Sequence, residues 1–129
     1  MANRILIVDD NAIIRRTLRN IIGFNGWAVC GEAVDGRDAI EKAQALCPDL
    51  IVLDFSMPVM NGLEAAHVLH QIMPGVPMIL CSLHANDVLQ REATTAGVKM
   101  VVSKAENMQI LITKAKELLE TIPVSNPET

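Results

Sequence analysis

Short apolar runs alternate with longer amphipathic segments along this whole chain, and the alternation limits the fold more than any other feature of the sequence. The apolar runs are residues 5–8, 28–30, 50–53, 78–81 and 100–102. Three of them are continuously apolar, which is typical of parallel strands that are covered on both faces. The runs therefore predict five strands, of which 28–30 has the weakest signal.

The segments between the runs have the period of helices that bury one face, because their apolar residues recur at spacings of three and four. These stripes comprise Ile14, Leu18, Ile21 and Ile22 in the first segment, Ala65, Val68, Leu69 and Ile72 in the third, and a series from Met108 to Ile122 in the last. Asn61, with Glu64 three residues later, predicts a capped helix start, and Pro48 and Gly97 are stop signals.

The strict order of strands and helices predicts an α/β fold with a five-stranded parallel sheet that is doubly wound, with helices on both faces. A length of 129 residues suits one compact domain, which we assign to residues 1–122. Residues 123–129 contain two prolines and little to bury, so we interpret them as a flexible tail or a linker stub.

The composition excludes several classes of function. A net charge of −4 gives no general attraction to nucleic acid or anionic lipid, and three aromatic residues leave little platform for stacking bases. The apolar runs are too short to span a membrane, and the N-terminus does not fit a signal peptide. Three cysteines without a C-x-x-C pair indicate reduced thiols. We therefore expect a cytoplasmic protein that binds neither membranes nor nucleic acid directly.

Acidic and polar residues follow four of the predicted strands. Asp9 and Asp10 follow the first, Asp54 the third, Ser82 the fourth and Lys104 the fifth. Taken singly, these are helix caps, turn residues or surface charges. Because the carboxyl ends of parallel strands share one edge, we expect them to meet there. Three carboxylates repel one another unless a hard cation such as Mg²⁺ lies among them, and a lysine and a hydroxyl beside them suit a phosphoryl group.

Several motifs of this chain resemble the receiver domain of two-component response regulators, the CheY-like family. They are ILIVDD at 5–10, DFSMPVMNG at 54–62, Ser82, and Lys104 seven residues after Gly97. The resemblance covers residues 4–122 and implies a flavodoxin-like (βα)5 fold with strand order 2-1-3-4-5. It also implies that the chain is a phosphorylation-controlled switch, which catalyses only its own phosphoryl transfer and slow autodephosphorylation.

The resemblance assigns roles to individual residues. Asp54 is implied to be the phosphoacceptor, which takes the phosphoryl group of a phosphohistidine. Asp10, Asp54 and the backbone carbonyl of Ser56 are implied to bind Mg²⁺, with Mn²⁺ as a substitute, while Asp9 acts mainly through water. Lys104 is implied to pair with one phosphoryl oxygen, and the hydroxyl of Ser82 to move towards another. The output is then a changed surface on the fourth helix, the fifth strand and the fifth helix.

Four positions depart from the family pattern or tune it. Val101 lies where the family commonly has an aromatic switch residue, so a swinging ring is not available here. Leu83 replaces the small residue that usually follows Ser82, and we expect it to shield Asp54 and to slow phosphoryl exchange. Ser56 and His84 lie two residues beyond Asp54 and Ser82, at positions where the family tunes the lifetime of the phosphorylated state, and with Leu83 they are predicted to tune it here.

The implied partners are a sensor histidine kinase or a phosphotransfer protein, and a downstream effector or a C-terminal output domain outside this chain. Homodimerisation through the fourth or fifth helix stays open. Arg15, Arg16 and Arg19 lie on the polar side of the first helix, either as a solvated face or as a contact for the kinase.

Two alternatives compete with the switch. An aspartate-nucleophile phosphatase usually has a D-x-D motif, whereas Asp9 and Asp10 are adjacent. A flavodoxin-like binding module needs a phosphate-cradling loop after the first strand, where Asp9 and Asp10 would repel the phosphate.

Overall fold

The computed structural model of the protein describes residues 3–83, 85–104 and 108–120. Strands and helices alternate in the order β1 (Arg4–Val8), α1 (Ala12–Phe24), β2 (Ala28–Ala33), α2 (Gly36–Leu46), β3 (Leu50–Asp54), α3 (Gly62–Ile72), β4 (Met78–Ser82), α4 (Asp87–Thr95), β5 (Met100–Ser103) and α5 (Met108–Glu120). The predicted α/β class is therefore confirmed. The predicted tail at 123–129 lies outside the described residues, as does His84.

All five strands form one parallel sheet with the order β2-β1-β3-β4-β5. This is the order that the family resemblance implied. The chain changes direction across the sheet between β2 and β3, since β1 lies between them. That reversal puts the carboxyl ends of β1 and β3 side by side at the crevice where such sheets bind ligands.

Alternate side chains of each strand pack against different helices, as the two-residue period of a strand requires. In β1, Leu6 and Val8 face a core formed with α2, α3 and α4. Ile5 and Ile7 face the opposite core, formed with α1 and α5. All four side chains are almost completely buried, so the sheet is covered on both sides and doubly wound.

Helix starts follow the predicted capping chemistry. The Asn61 side chain accepts a hydrogen bond from the Glu64 amide at 2.9 Å, and the Glu64 carboxylate accepts one from the Asn61 amide at 3.0 Å. Asn86 caps α4 in the same way through the amide of Leu89. In the part of the chain described here, no helix is both long enough and apolar enough to cross a membrane.

Each strand is longer than the sequence predicted, by three residues in β2 and by one residue in each of the other four. The second strand was predicted at 28–30 but continues to Ala33, since residues 31–33 pair with the end of β1 beyond a bulge at Cys30 of β2. Gly31 and Glu32 interrupt the apolar run and hid this extension. In addition, residues 54 and 82 are the last residues of β3 and β4 rather than the first residues after them.

The loop between β3 and α3 contains a strained residue. Val59 has a φ of 70° at the centre of a three-residue turn, which the Met60 amide closes by donating to the Pro58 carbonyl at 2.7 Å. A β-branched residue with this φ is uncommon, and the left-handed conformation costs about 1–2 kcal/mol.

We expect Val59→Gly to raise the free energy of unfolding by about 1 kcal/mol, since glycine adopts positive φ without strain. The valine side chain is 77% exposed, so little burial is lost. Urea denaturation measures the change. Val88→Gly is the control, because Val88 is also exposed but lies within α4, where glycine lowers stability. If Val59→Gly is no more stable than the parent, the backbone of Val59 does not store the strain assigned to it.

Candidate functional site

Backbone hydrogen bonds across the carboxyl edge of the sheet bring the predicted site residues together. The Phe55 amide donates to the Cys81 carbonyl at 2.8 Å, which joins the end of β3 to β4. The Lys104 amide donates to the Ser82 carbonyl at 2.7 Å, which joins β4 to the end of β5. The Asp9 amide donates to Ala33 beyond the end of β1. Backbone hydrogen bonds alone therefore hold the strand ends together at this edge.

The three aspartates converge as the sequence predicted. Asp9, Asp10 and Asp54 each offer a carboxylate oxygen, and these oxygens lie within 4.8 Å of one another. Asp9 and Asp54 are buried, with 3% and 4% of their surface exposed, whereas Asp10 is exposed. The cluster therefore has a buried floor and one carboxylate at the solvent side.

Lys104 is the cation of this cluster. Its Nζ lies 2.8 Å from Oδ1 of Asp54 and 3.2 Å from Oδ2 of Asp9. The other oxygen of Asp9 accepts a hydrogen bond from the Asn11 amide at 2.9 Å. Ser82, which is also buried, lines the same groove above the cluster. All five residues predicted at strand ends thus share one site.

Burial and charge shift the pKa values in this cluster. Burial, together with the charges of Asp9 and Asp10, raises the pKa of Asp54, against the lowering effect of the Lys104 hydrogen bond. Burial alone would lower the pKa of Lys104, but the hydrogen bond to Asp54 and the charge of Asp9 outweigh it and raise that pKa. Lys104 is therefore firmly protonated, and the repulsion among the carboxylates is only partly relieved.

The Cys81 thiol beside the cluster is buried in the core. Burial raises its pKa to about 12, so the thiolate is scarce at neutral pH. The core in which it lies is the one formed with α1 and α5. Cys30, Cys47 and Cys81 all lie within the described residues and form no disulfide with one another.

An open groove connects Asp54 with solvent. Ser56 and Leu83 line it, as do the first residues of α4. Leu83 is 66% exposed where it lines this groove. Val101 lies elsewhere, half-buried against the core under α2, α3 and α4.

One part of the site was not predicted from the sequence. Nη1 of Arg15 donates to the backbone carbonyl of Asp9 at 2.8 Å, and its Nε donates to Oε1 of Glu32 at 2.9 Å. Arg19 pairs with the other oxygen of Glu32 at 2.7 Å. The solvated face proposed for the α1 arginines is therefore wrong for Arg15, whose side chain is only 16% exposed. The sequence feature that could have predicted these ion pairs is Glu32, an acidic residue in β2, together with Arg15 and Arg19 spaced four apart on α1.

The Glu32 ion pairs predict a pH dependence of stability. Burial alone would raise the pKa of Glu32, but its hydrogen bonds to Arg19 and Arg15 outweigh burial and lower that pKa. A lowered folded-state pKa adds stability above the unfolded value, and that stability is lost as the pH falls below about 4. We expect Glu32→Gln to be less stable than the parent at pH 7, with the difference shrinking below pH ~4.

Chemical denaturation across this pH range measures the difference. Glu41→Gln is the control, since Glu41 is exposed and makes no ion pair with residues that the structure describes. A Glu32→Gln difference that stays constant with pH would argue against the ion pairs.

Similarity to known proteins agrees with this geometry. Residues 5–116 match the family of the response regulator receiver domain. The chain belongs to this family. It is 41% identical over 104 residues to the chemotaxis protein CheY of Thermotoga maritima, a match that covers 81% of this chain and 87% of that protein. The family resemblance in the sequence is therefore confirmed, and the protein is a receiver domain of two-component signalling, a signalling switch rather than a classical enzyme.

Receiver domains similar to this one occur alone and within longer proteins. A receiver domain protein of Methanospirillum hungatei superposes with a TM-score of 0.88 at 27% identity, covering 95% of this chain and 97% of that one. A protein-glutamate methylesterase/protein-glutamine glutaminase of Pyrococcus abyssi is 43% identical over 97 residues, which are 74% of this chain and 25% of that protein. Such a receiver therefore forms about a quarter of that longer chain.

Proposed function

We propose that this receiver domain accepts a phosphoryl group on Asp54 in the presence of Mg²⁺, and that the modification changes the surface formed by α4, β5 and α5. The observation that carries the proposal is the buried carboxylate of Asp54, in contact with Lys104 and grouped with two further aspartates. A buried carboxylate with only a structural role would need a single cationic partner, and the two further aspartates would destabilise it by charge repulsion.

The residues present fit a divalent cation. Three carboxylates and one ammonium leave two negative charges unbalanced at this edge of the sheet. Their oxygen donors are the type that Mg²⁺ prefers, and Mn²⁺ is a substitute. Asp10, Asp54 and the backbone carbonyl of Ser56 would hold the ion, with Asp9 acting through water. When bound, Mg²⁺ neutralises carboxylate charge and polarises a phosphoryl oxygen.

The transfer step uses Asp54 as the nucleophile. An oxygen of its carboxylate forms a bond to phosphorus while the bond from phosphorus to a histidine nitrogen of the donor breaks, and the electron pair leaves with that nitrogen. The product is an acyl phosphate on Asp54 and a histidine ready to take up a proton. Lys104, already 2.8 Å from Asp54, is positioned to stabilise the negative charge on the phosphoryl oxygens.

Phosphorylation changes the contacts of Lys104 and Ser82. The phosphoryl group adds roughly −1.5 to −2 of charge and new acceptor oxygens. Lys104 then exchanges its contact with Asp54 for a phosphoryl oxygen, and the hydroxyl of Ser82 turns towards another. Because Ser82 pairs with Ser103 of β5 in the sheet register, this movement passes to β5 and the neighbouring α4. With valine at position 101, the change depends on packing of small side chains rather than on a swinging ring.

The experiment that tests this proposal is incubation of the chain with Mg²⁺ and a small phosphodonor, followed by mass spectrometry of the intact protein. We expect one added phosphoryl group, with no uptake when a chelator is present from the start and none in Asp54→Asn. Steady release of phosphate without a stable modified form would instead indicate a phosphatase. No uptake in the parent protein would contradict the proposal.

Leu83 and Ser56 line the path to Asp54, and with His84 they are proposed to tune the phosphoryl lifetime. We expect Leu83→Ala to speed both phosphorylation and dephosphorylation by a few fold, because removing an apolar side chain admits water and donor to the groove. Stopped incubations with the phosphodonor measure both rates. Val88→Ala, an exposed apolar residue farther along the same groove, is the control. Unchanged rates in Leu83→Ala would refute the shielding role.

The proposed partners follow from the family. A sensor histidine kinase or a phosphotransfer protein supplies the phosphoryl group at the groove. A downstream effector or an output domain outside these residues reads the surface of α4, β5 and α5, and a homodimer through α4 or α5 is a further use of that surface. Localisation in the cytoplasm is proposed on the same grounds.

A further inference from the structure

The ion pair between α1 and β2 reaches the acidic cluster through the backbone. The guanidinium of Arg15 donates from one nitrogen to the Asp9 carbonyl at 2.8 Å and from another to Glu32 at 2.9 Å. Glu32 is itself held by Arg19 on its second oxygen and by Lys42 on its backbone carbonyl. The guanidinium of Arg15 therefore connects Glu32 of β2 to the backbone carbonyl immediately before Asp10.

Among the described residues, Asp9 is also held by one backbone hydrogen bond and by the contacts of its side chain with Asn11 and Lys104. Its amide donates to the Ala33 carbonyl at 3.0 Å, and beyond it the chain leaves the sheet towards α1. The carbonyl of Asp9 belongs to the peptide group that joins Asp9 to Asp10. The orientation of this peptide group affects where the exposed carboxylate of Asp10 lies relative to Asp54. Arg15 holds that peptide group.

We propose that Arg15, supported by Glu32, is a positioning residue that orients the peptide between Asp9 and Asp10 and so sets the affinity of the acidic cluster for a divalent cation. The inference rests on the proposed function, in which this cluster binds Mg²⁺. Partners that orient metal ligands through hydrogen bonds commonly change metal affinity by about 10-fold to 100-fold when they are removed.

Charge and position predict opposite results for Arg15→Gln. Loss of a positive charge near three carboxylates makes the site more negative, and by itself this strengthens binding of a cation. Loss of the hydrogen bond to the Asp9 carbonyl lets the carboxylate ligands move and weakens binding of the cation. A weaker affinity for Mg²⁺ therefore has a geometric cause.

Two arginines of the same helix provide controls with the same change in net charge. Arg19→Gln also removes a partner of Glu32 but leaves Asp9 untouched. Arg16 is exposed and makes no hydrogen bond or ion pair with the described part of the chain. We expect calorimetric titration with MgCl₂ to show about a tenfold weaker affinity for Arg15→Gln and a change below about twofold for Arg16→Gln and Arg19→Gln.

A second measurement needs no metal. Hydrogen exchange of the Asn11 amide, which donates to Asp9, reports whether the turn after β1 is held in place. We expect this amide to exchange several times faster in Arg15→Gln than in the parent. Its exchange rate is expected to be unchanged in Arg16→Gln and Arg19→Gln. This readout separates local positioning from a general loss of stability, which would raise exchange at many sites in all three proteins.

The outcomes distinguish the two proposals. If the parent protein does not bind Mg²⁺, the proposed metal chemistry fails, and exchange at Asn11 alone decides whether Arg15 positions the turn. Equal or tighter Mg²⁺ binding by Arg15→Gln overturns the inference. Equal weakening in all three variants also overturns it, as does an unchanged exchange rate at Asn11.

Discussion

Replacing Gly62 with alanine is expected to cost about 3 kcal/mol of stability and to slow phosphoryl uptake about a hundredfold. Gly62 is the first residue of α3, where alanine would normally favour a helix. A Cβ atom at this position, however, would overlap the backbone carbonyl oxygen of Asp54 and come within 2.8 Å of Leu80 Cδ1. A backbone carbonyl in a central strand cannot rotate away, so the loop after β3 must move.

The movement reaches the proposed phosphoacceptor directly. The Gly62 amide donates to the Phe55 carbonyl at 2.8 Å, so α3 and the end of β3 are joined next to Asp54. A displacement of about 1 Å at a reacting group commonly costs about a hundredfold in rate. Urea denaturation and timed incubation with a phosphodonor measure the two effects.

Gly75→Ala is the matched control, since a Cβ atom there meets nothing within 4 Å. It is expected to keep both the stability and the uptake rate of the parent. A Gly62→Ala protein with the stability of the Gly75→Ala protein would show that the close contact with Asp54 is not limiting.

Replacing Gly97 with alanine is expected to lower the free energy of unfolding by about 3 kcal/mol for two separate reasons. Gly97 has a φ of 92° just after α4, a conformation that strains any residue with a Cβ atom. A Cβ atom would also overlap the imidazole of His70 at the end of α3 and lie 2.7 Å from its Cβ. The His70 Cβ is fixed by the helix, so the end of α3 and the turn before β5 must separate.

Two further variants divide this cost. Gly26 has a φ of 85°, and a Cβ atom added there would meet nothing within 4 Å, so Gly26→Ala carries only the conformational cost of about 1–2 kcal/mol. The double variant His70→Gly with Gly97→Ala removes the overlap, because glycine at position 70 has no Cβ atom. After correction for His70→Gly alone, its loss is expected to fall to that of Gly26→Ala. If the double variant loses as much as Gly97→Ala, the contact with His70 is not the cause.

The site was more predictable from the sequence than the contacts that support it. Asp9, Asp54 and Lys104 could be placed because parallel strands end at one edge, and that rule needs no knowledge of packing. The capping pair of Asn61 and Glu64 could be predicted because both residues lie within one helical turn. Sequence spacing is informative in these cases because the relevant distances are set by local geometry or by the direction of the strands.

Contacts between distant elements could not be predicted in the same way. The hydrogen bond from Arg15 to Asp9 depends on how α1 packs beside β2, and the end of β2 depends on pairing with β1 beyond a bulge at Cys30. Gly62 was likewise part of a recognised motif, but its physical reason, the close approach to the Asp54 carbonyl, is a property of the packed structure. Such contacts arise from tertiary packing and leave no period in the sequence.

The most direct test of the central claim is to locate the phosphoryl group within the chain. The protein is incubated with Mg²⁺ and a small phosphodonor, digested, and its peptides are sequenced by mass spectrometry under conditions that preserve acyl phosphates. Asp10 and Ser56 share the groove with Asp54, so they are the competing acceptors. We expect modification of Asp54 alone, and modification of Asp10 or Ser56 instead would contradict the proposed switch.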